Sequence, residues 1–349
     1  MFTDIHVGAR GNSEQHLEDC LRYIDWFCDL AVKTKATHIA FLGDYYENRS
    51  NINVRSLDVG TEIARRLDRL GIPVLFMVGN HDLYFRHTRK IFSTNQYADL
   101  KNFIVIKDPV ELSKDVYMSP YLFKQEYTDL ADQINSHKYV FGHFEFRGFV
   151  VTGDTKVLDH GPDHTAFSGP KFIFSGHFHK RQANANVIYI GNTFPTNYGD
   201  AWDSERGACL LDMSTDDVQF FDWADAPMFY KTRMTNVIAG QLPFKPEGRV
   251  HCLLDADVGY TDIQSLRDEM IKTFSLREFT VEEDLDLKKG ILSEGMDVEE
   301  TAIDLTMLHG TIRTLIAEGV QQSPTIDPDL LVSLFDELEK HDLHRRTRT

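Results

Sequence analysis

Residues 76–82 read Phe-Met-Val-Gly-Asn-His-Asp, and this stretch decides the fold. The apolar run 74–78 predicts a buried strand of a parallel sheet, and it stops at a glycine. Asn80, His81 and Asp82 then follow at the carboxyl end of the strand, where open α/β sheets bind their ligands. An amide oxygen and an imidazole nitrogen can both bind a metal, and a carboxylate can hold an imidazole in one tautomer. The same three residues are also common in turns, so the stretch by itself leaves both interpretations open.

Length, charge and cysteine content narrow the class of protein. The chain has 349 residues, enough for one large domain and a smaller one. Its net charge of −17 argues against a protein that coats nucleic acid non-specifically, because such binding needs clustered Lys and Arg. A nuclease is not excluded, since bound divalent cations offset acidic residues locally. The four cysteines are scattered without a Cys-x-x-Cys pair, and we see neither a signal peptide nor an apolar run long enough to span a membrane. A soluble protein of a reducing cytoplasm is therefore expected.

Predicted strands and helices alternate through the first third of the chain. We expect a strand end at residues 1–5, helices over 13–35, 54–70 and 88–100, and strands over 38–42, 74–78 and 103–106. The first strand is short, and we expect the sequence to lack a few of its residues. Later strands follow more closely, over 139–141, 172–174 and 187–190, with a hairpin of 208–213 and 218–221. The sequence thus predicts an α/β fold in which two sheets form a sandwich flanked by helices.

A change in composition at residues 225–227 predicts a domain boundary. We expect a main domain over 1–226 and a small α+β domain over 227–284, with strands near 228–234, 249–254 and 279–281 and a helix over 262–273. An acid-rich linker is expected over 285–297, and two amphipathic helices within 298–343.

Five predicted strand ends carry candidate metal ligands. In chain order they are Asp4-Ile5-His6, Gly43-Asp44, Gly79-Asn80-His81-Asp82, Gly142-His143 and Gly176-His177-Phe178-His179. Alternation along a strand puts residues i and i+2 on one side. Asp4 and His6 could therefore face one ion, and so could His177 and His179. Each motif alone is often structural, since a histidine in an apolar run is typical of a core and an aspartate after glycine can cap a helix. Five in order favour two ions, about 3.5–4 Å apart, that share a carboxylate. Oxygen and imidazole ligands without thiolate suit manganese, iron, zinc or magnesium.

The motif order D-x-H, G-D, G-N-H-D, G-H, G-H-x-H resembles the calcineurin-like metallophosphoesterase superfamily. The resemblance implies two metal sites that share one residue: Asp4, His6 and His179 at the first, Asn80, His143 and His177 at the second, and Asp44 as the bridge. It also implies that His81 lies off the metals, where it stabilises charge or protonates the leaving oxygen, and that Asp82 orients it.

Finer details are similar to the SbcD-type nucleases of this superfamily, especially the phage members. The similarity lies in residues 4–8 (Asp-Ile-His-Val-Gly), 142–149 (Gly-His-Phe-Glu-Phe-Arg-Gly-Phe), 175–179 and 187–193. It implies a DNA nuclease, exonuclease or endonuclease, with two divalent ions, most suitably Mn²⁺, with Mg²⁺ as the alternative. It further implies a role in DNA recombination and double-strand-break repair. If the chain is phage-encoded, it would act in the bacterial cytoplasm. The implied partners are DNA and an SbcC-like coiled-coil ATPase, on which the 298–343 helices would dock, while the 227–284 domain would form a cap.

The resemblance also implies a homodimer and contacts with DNA. Candidate interface residues are Leu57, Ile63, Leu67, Ile91 and Phe92, which could equally cover the sheet. Candidate phosphate contacts, in loops after the ligand motifs, are Arg10, Arg49, Arg86 and Lys180. Tyrosines in the same loops that could stack on unpaired bases, or merely wall the site, are Tyr45, Tyr46 and Tyr84.

Two other functions are compatible with the superfamily. A phosphomonoesterase or cyclic-nucleotide phosphodiesterase would use the same ligands and need no partner. A scaffold with the phosphoesterase fold would need no activity, and the complete ligand set argues against it.

Overall fold

The computed structural model describes residues 1–152, 156–240 and 242–283. The predicted linker 285–297 and the predicted helices within 298–343 lie outside the described residues. The helices are α1 (Ala9–Asn12), α2 (Glu14–Lys33), α3 (Val54–Arg69), α4 (Leu130–Ile134), α5 (Met234–Ile238) and α6 (Tyr260–Phe274). Short 3-10 helices lie at Asn95–Asp99, Lys124–Tyr127, His164–Phe167 and Tyr198–Asp200. Among the described residues, no helix combines the length and the apolar character that crossing a bilayer requires.

The strands alternate with these helices early in the chain and follow one another directly later. The first ten are β1 (Ile39–Phe41), β2 (Val74–Met77), β3 (Leu83–Phe85), β4 (Thr88–Phe92), β5 (Phe103–Ile106), β6 (Val110–Ser113), β7 (Val116–Ser119), β8 (Tyr139–Gly142), β9 (Val150–Thr152) and β10 (Lys156–Val157). The others are β11 (Phe172–Ser175), β12 (Gln182–Asn184), β13 (Val187–Tyr189), β14 (Gly207–Asp212), β15 (Asp217–Asp222), β16 (Phe229–Arg233), β17 (Arg249–Leu254) and β18 (Glu278–Glu283).

The first sheet is parallel, in the order β1-β2-β5. Helix α3 forms the predicted crossover from β1 to β2, whereas β3, β4 and a 3-10 turn connect β2 to β5. Helices α2 and α3 pack their apolar faces on one side of it, where Leu17, Ile24, Ile63 and Leu67 are fully buried. Burial of these side chains, at roughly 1.5–3 kcal/mol each, is the main reason that both helices form here.

The second sheet has six strands in the order β12-β13-β11-β8-β7-β6, and β7, β8, β11 and β13 run parallel. Its inner face packs on the first sheet, since one apolar cluster contains Met77 of β2, Leu42 directly after β1, and residues of the second sheet, namely Met118, Phe141 and Phe174. This mixed α/β sandwich confirms the predicted fold class.

The predicted helix over 88–100 is wrong. Leu83 and Phe92 pair across an antiparallel hairpin formed by β3 and β4, and both side chains are buried. The β-branched and aromatic residues of this segment favour a pleated, half-buried surface. Pairing with β3 lets their side chains pack across the two strands, which a helix would not allow. Only Asn95–Asp99 is helical, as one 3-10 turn.

The segment 228–283 has its own parallel sheet, in the order β16-β17-β18, with α6 as a crossover. Met228, Val250 and Phe279 belong to a separate apolar cluster. The guanidinium of Arg277 forms two hydrogen bonds, of 2.5 and 2.9 Å, with the buried carboxylate of Asp19 on α2. These elements lie at the positions expected from the sequence, while the division of the chain into domains stays a prediction.

Three of the five candidate interface residues are not available at the surface. Ile63 and Leu67 are completely buried in the core and Phe92 is 8% exposed, because they face the sheets. Leu57 and Ile91 keep 39% and 55% of their surface exposed.

A test of this packing is Gly60→Ala in α3. A Cβ atom at residue 60 would lie 2.3 Å from the hydroxyl oxygen of the buried Tyr46. Although alanine favours a helix over glycine, we expect the overpacking to dominate and to lower the free energy of unfolding by about 2 kcal/mol in urea denaturation. Arg65→Ala, on the exposed face of the same helix, is the control and should change stability by less than about 0.5 kcal/mol. A more stable Gly60→Ala variant would contradict the packing of Tyr46.

Candidate metal centre

The carboxyl ends of parallel strands from both sheets meet in one cleft of about 320 Å³. Strands β1, β2, β8 and β11 each run into a loop that carries a predicted ligand. The cleft is lined by His6, Ala9, Arg10, Asp44, Glu47, Asn80, His81, His177, His179, Thr196 and Asn197. Asp4 and His143 lie fully buried and contact these lining residues. The structure thus brings together all seven predicted metal ligands.

The first group of ligand atoms comes from Asp4, His6 and His179, and these atoms lie within 4.8 Å of one another. The Nε2 atoms of His6 and His179 are 3.2 Å apart, and Asp4 Oδ1 is 3.7 Å from His6 Nε2. Asp4 Oδ1 is buried without a hydrogen-bond partner in the described part of the chain. Buried polar atoms are nearly always paired, so an orphaned carboxylate oxygen facing two imidazoles fits a divalent cation.

The second group surrounds the side-chain oxygen of Asn80. This atom lies 2.9 Å from His143 Nε2 and 2.9 Å from His177 Nδ1. The other ring nitrogen of His143, Nδ1, is 2.7 Å from the carbonyl oxygen of Leu42. Because a carbonyl oxygen only accepts, Nδ1 carries the proton, and Nε2 is the atom that can bind a metal.

Asp44 lies between the two groups. Its Oδ2 atom is 3.4 Å from Nε2 of His143 and 3.9 Å from Nε2 of His6. Its Oδ1 atom accepts a hydrogen bond of 2.8 Å from the backbone amide of His81. One carboxylate that faces both groups is the arrangement expected of a bridging ligand.

The imidazoles of the second group differ strongly in their affinity for protons. Burial disfavours a charged imidazole, but the carboxylates of Asp44 and Asp4 outweigh this effect and raise the pKa of His143 to about 9. Burial and the positive charge of His143 lower the pKa of His177 to about 3. Divalent cations would occupy the place of the protons that the carboxylates attract.

The ligand loops depend on left-handed backbone conformations. Asp4, His6, Asp44 and His177 have φ angles of 52°, 47°, 60° and 86°. The expected alternation along strands is therefore not what aims these side chains. Asp4 and His6 do belong to one group, but alternation fails for His177 and His179, which belong to different groups.

Two glycines leave room for the ligands. A Cβ atom at Gly79 would lie 2.2 Å from Asp44 Oδ1, and one at Gly43, where φ is +102°, would lie 2.6 Å from His143 Nδ1. The glycines before Asp44 and Asn80 are thus required by close approach of side chains.

His81 lines the cleft beside the first group. Its ring lies edge-on to the ring of His6, with centroids 4.9 Å apart, and its Nδ1 is 2.7 Å from the carbonyl oxygen of Glu47. The expectation that Asp82 orients His81 is wrong. The carboxylate of Asp82 is completely buried and accepts hydrogen bonds from the backbone amides of Gly79, Asp44 and Tyr45 at 2.9, 3.1 and 3.0 Å. Its position in the loop after β2 directs it to the loop amides rather than to the neighbouring ring.

Glu47 is a site residue that the sequence analysis missed. Its Oε2 atom is 2.8 Å from His6 Nδ1, and this contact holds the pKa of Glu47 down at about 2. A carboxylate this close to the far nitrogen of a ligating histidine helps to fix the orientation of its ring. The only signal in the sequence is the spacing Asp44-x-x-Glu47, which is too common in loops to be informative.

The candidate phosphate contacts occupy different surroundings. Arg10 lines the cleft, pairs with Glu278 Oε2 at 3.2 Å and lies over the ring of Phe229 at 5.2 Å. Arg86 is exposed in the turn between β3 and β4. Arg49 and Lys180 are half-buried in the loops that follow the ligand motifs.

The prediction of base stacking is wrong for two of the three candidate tyrosines. Tyr45 and Tyr46 are completely buried in the main core, where they pack with Phe76 and Tyr97. They cannot meet a base without unfolding the loop. Tyr84 is 48% exposed.

Asp82→Asn tests the structural role of this carboxylate. An asparagine would present its NH₂ group to backbone amides, so we expect a loss of about 3 kcal/mol of unfolding free energy, measured in urea at pH 7. Asp99→Asn, at the exposed last residue of the 3-10 turn, should leave stability unchanged within about 0.5 kcal/mol. An Asp82→Asn protein of normal stability would contradict this structural role.

Comparisons with known proteins agree with this geometry. Residues 1–181 match the calcineurin-like phosphoesterase family. Exonuclease subunit 1 of Enterobacteria phage T4 is 27% identical over 223 residues, which cover 62% of this chain and 65% of the relative. The DNA double-strand break repair protein Mre11 of Aeropyrum pernix is 30% identical over 80 residues, which cover 23% of this chain and 19% of the relative. The chain therefore spans less than two thirds of either relative. The family match covers more than half of the sequence and includes all the candidate ligands, and the chain belongs to the calcineurin-like phosphoesterases.

Proposed function

We propose that the chain is a two-metal nuclease that hydrolyses phosphodiester bonds of DNA in recombination or double-strand-break repair. The observation that carries this proposal is the pair of ligand groups joined by Asp44 in one open cleft. Asp4, His6 and His179 would hold one divalent cation and Asn80, His143 and His177 the other. When bound, two such cations polarise the phosphoryl oxygens and activate a water molecule for in-line attack.

The donor set favours manganese over magnesium. Magnesium prefers an octahedral shell of oxygen ligands, whereas four of the seven candidate ligands here are imidazoles. Manganese accepts both kinds of donor, and we propose Mn²⁺ as the working metal, with Mg²⁺ as the alternative.

His81 is placed to move a proton. Its Nδ1 donates to the carbonyl oxygen of Glu47, so its Nε2 is free to exchange a proton with the leaving oxygen or to stabilise the charge that develops there. Its backbone amide is tied to Asp44, which keeps the ring beside the reacting phosphate.

DNA is the proposed substrate because of the cleft and the relatives. The two relatives are named as an exonuclease subunit and a double-strand break repair protein. Arg10 brings a positive charge to a cleft of an otherwise acidic protein, and Arg49, Arg86 and Lys180 are further candidate contacts to the phosphate backbone.

The partners are also proposals. The phage relative is named as a subunit, which supports a complex, and we propose an SbcC-like coiled-coil ATPase bound through residues 298–343. A homodimer would use the exposed Leu57 and Ile91. The 227–284 domain would cap the site, and the bacterial cytoplasm would be the site of action for a phage-encoded chain.

The test is cleavage of linear duplex and single-stranded DNA with Mn²⁺. Asp44→Ala should abolish cleavage and weaken Mn²⁺ binding, because it removes the shared carboxylate. His81→Ala should lower kcat by about 100-fold while Mn²⁺ binding, measured by calorimetry, stays unchanged. His38→Ala, an exposed histidine at the start of the first sheet, is the matched control and should behave as the unmodified protein.

Two results would contradict the proposal. Cleavage that survives in both variants would show that another site is responsible. Failure to cleave DNA, alone or with the ATPase, together with hydrolysis of small phosphate esters, would favour a phosphomonoesterase or cyclic-nucleotide phosphodiesterase.

Glu47→Gln tests how the first metal site is oriented. A glutamine cannot supply the negative charge opposite His6 Nδ1, and we expect Mn²⁺ to bind about tenfold more weakly by calorimetric titration. Glu62→Gln, on the surface of α3, is the control and should bind Mn²⁺ normally. Unchanged binding in Glu47→Gln would mean that His6 is oriented by its packing alone.

A further inference from the structure

Tyr121 is an aromatic residue beside the second ligand group that the metal chemistry does not use. It follows β7, whose last residue, Ser119, is paired with Gly142 at the end of the parallel strand β8. The ring therefore emerges beside the second ligand group. Its centroid lies 5.9 Å from the ring of His177 and 6.2 Å from the ring of His143. Unlike Tyr45 and Tyr46, it is only partly buried.

The backbone beneath Tyr121 is firmly held. Its amide donates to the carbonyl oxygen of Val78 at 3.0 Å, and its carbonyl oxygen accepts from Arg89 Nε at 3.0 Å and Nη2 at 2.9 Å. Arg89 also pairs with Glu126, and its guanidinium lies 4.8 Å from the ring centre of Phe123. A tyrosine has only two side-chain torsions, so a ring on this fixed backbone loses little entropy when a ligand packs on it.

The Tyr121 ring presents an aromatic surface next to the proposed second metal, because it packs beside both His143 and His177.

We propose that Tyr121 is the stacking surface for an unpaired nucleobase next to the phosphate in the cleft, an inference that rests on the proposed nuclease function. A phosphodiester carries a nucleoside on each side, and the ring lies on the His143 and His177 side. Base–aromatic stacking tolerates every base, since each has a π face. The ligand class is therefore a single-stranded or locally opened DNA segment, without sequence preference at this position.

The experiment uses the full chain with Mn²⁺ and two single-stranded substrates of equal length and charge, an oligothymidylate and an abasic oligonucleotide. The variants are Tyr121→Leu, which removes the aromatic face but keeps an apolar side chain, and Tyr121→Phe, which keeps the face. For the unmodified protein we expect a lower KM on thymidylate than on the abasic chain. Tyr121→Leu should raise KM on thymidylate about tenfold, with KM on the abasic chain and kcat unchanged. Tyr121→Phe should match the unmodified protein.

Manganese titration and thermal unfolding of each variant separate stacking from damage to the neighbouring ligands. An equal rise in KM on both substrates, or weaker Mn²⁺ binding by Tyr121→Leu, would show that the ring supports His143 and His177 and would overturn the inference. Equal KM values of the unmodified protein on the two substrates would also overturn it. Cleavage of neither substrate by the unmodified protein, with or without the ATPase, would instead overturn the proposed function.

Discussion

The buried carboxylate of Asp82 is the interaction on which the site depends. It accepts hydrogen bonds from the amides of Gly79, Asp44 and Tyr45, and so ties the loop after β1 to the loop after β2. These loops carry the proposed bridging ligand and one ligand of the second group. A buried carboxylate needs hydrogen-bond donors, and the buried loop amides need an acceptor, because neither group can form hydrogen bonds with water here. The geometry of the centre therefore follows from satisfying backbone hydrogen bonds in a dry interior.

The site lies at the seam of two sheets. One apolar cluster joins the sheets, and the parallel strands of both end at the same edge. This edge collects side chains from positions as far apart in sequence as Asp4 and His179. Left-handed conformations at Asp4, His6, Asp44 and His177 aim them inward, and such strain persists only where the surrounding packing determines the backbone. Binding of the two proposed cations would offset the strain at these four ligands.

The proposed metals would make the cleft of an acidic protein favourable for an anionic group. A net charge of −17 repels phosphate at long range, but the cations that we propose Asp4 and Asp44 to hold would reverse the sign locally, and the guanidinium of Arg10 lies in the same cleft. Arg10 is itself held by Glu278 and Phe229 of the segment 228–283. Tyr121, which follows β7 of the second sheet, lies beside His143 and His177, and Arg89 of the β3–β4 hairpin donates to its carbonyl oxygen.

The sequence by itself determined the alternation of strands and helices, the two-sheet sandwich and the seven candidate ligands, because apolar periodicity and glycine-bounded motifs are local properties of a chain. Tertiary structure decided what depends on residues distant in sequence. It turned 88–92 into a strand because β3 offered a partner, buried Tyr45 and Tyr46 because α3 leaves room at Gly60, and separated His177 from His179 through a left-handed turn. It also hydrogen-bonded the carboxylate of Asp82 to loop amides and placed the carboxylate of Glu47 next to His6. No pattern in the sequence could show these contacts, because each one depends on which loops the packed sheets bring together.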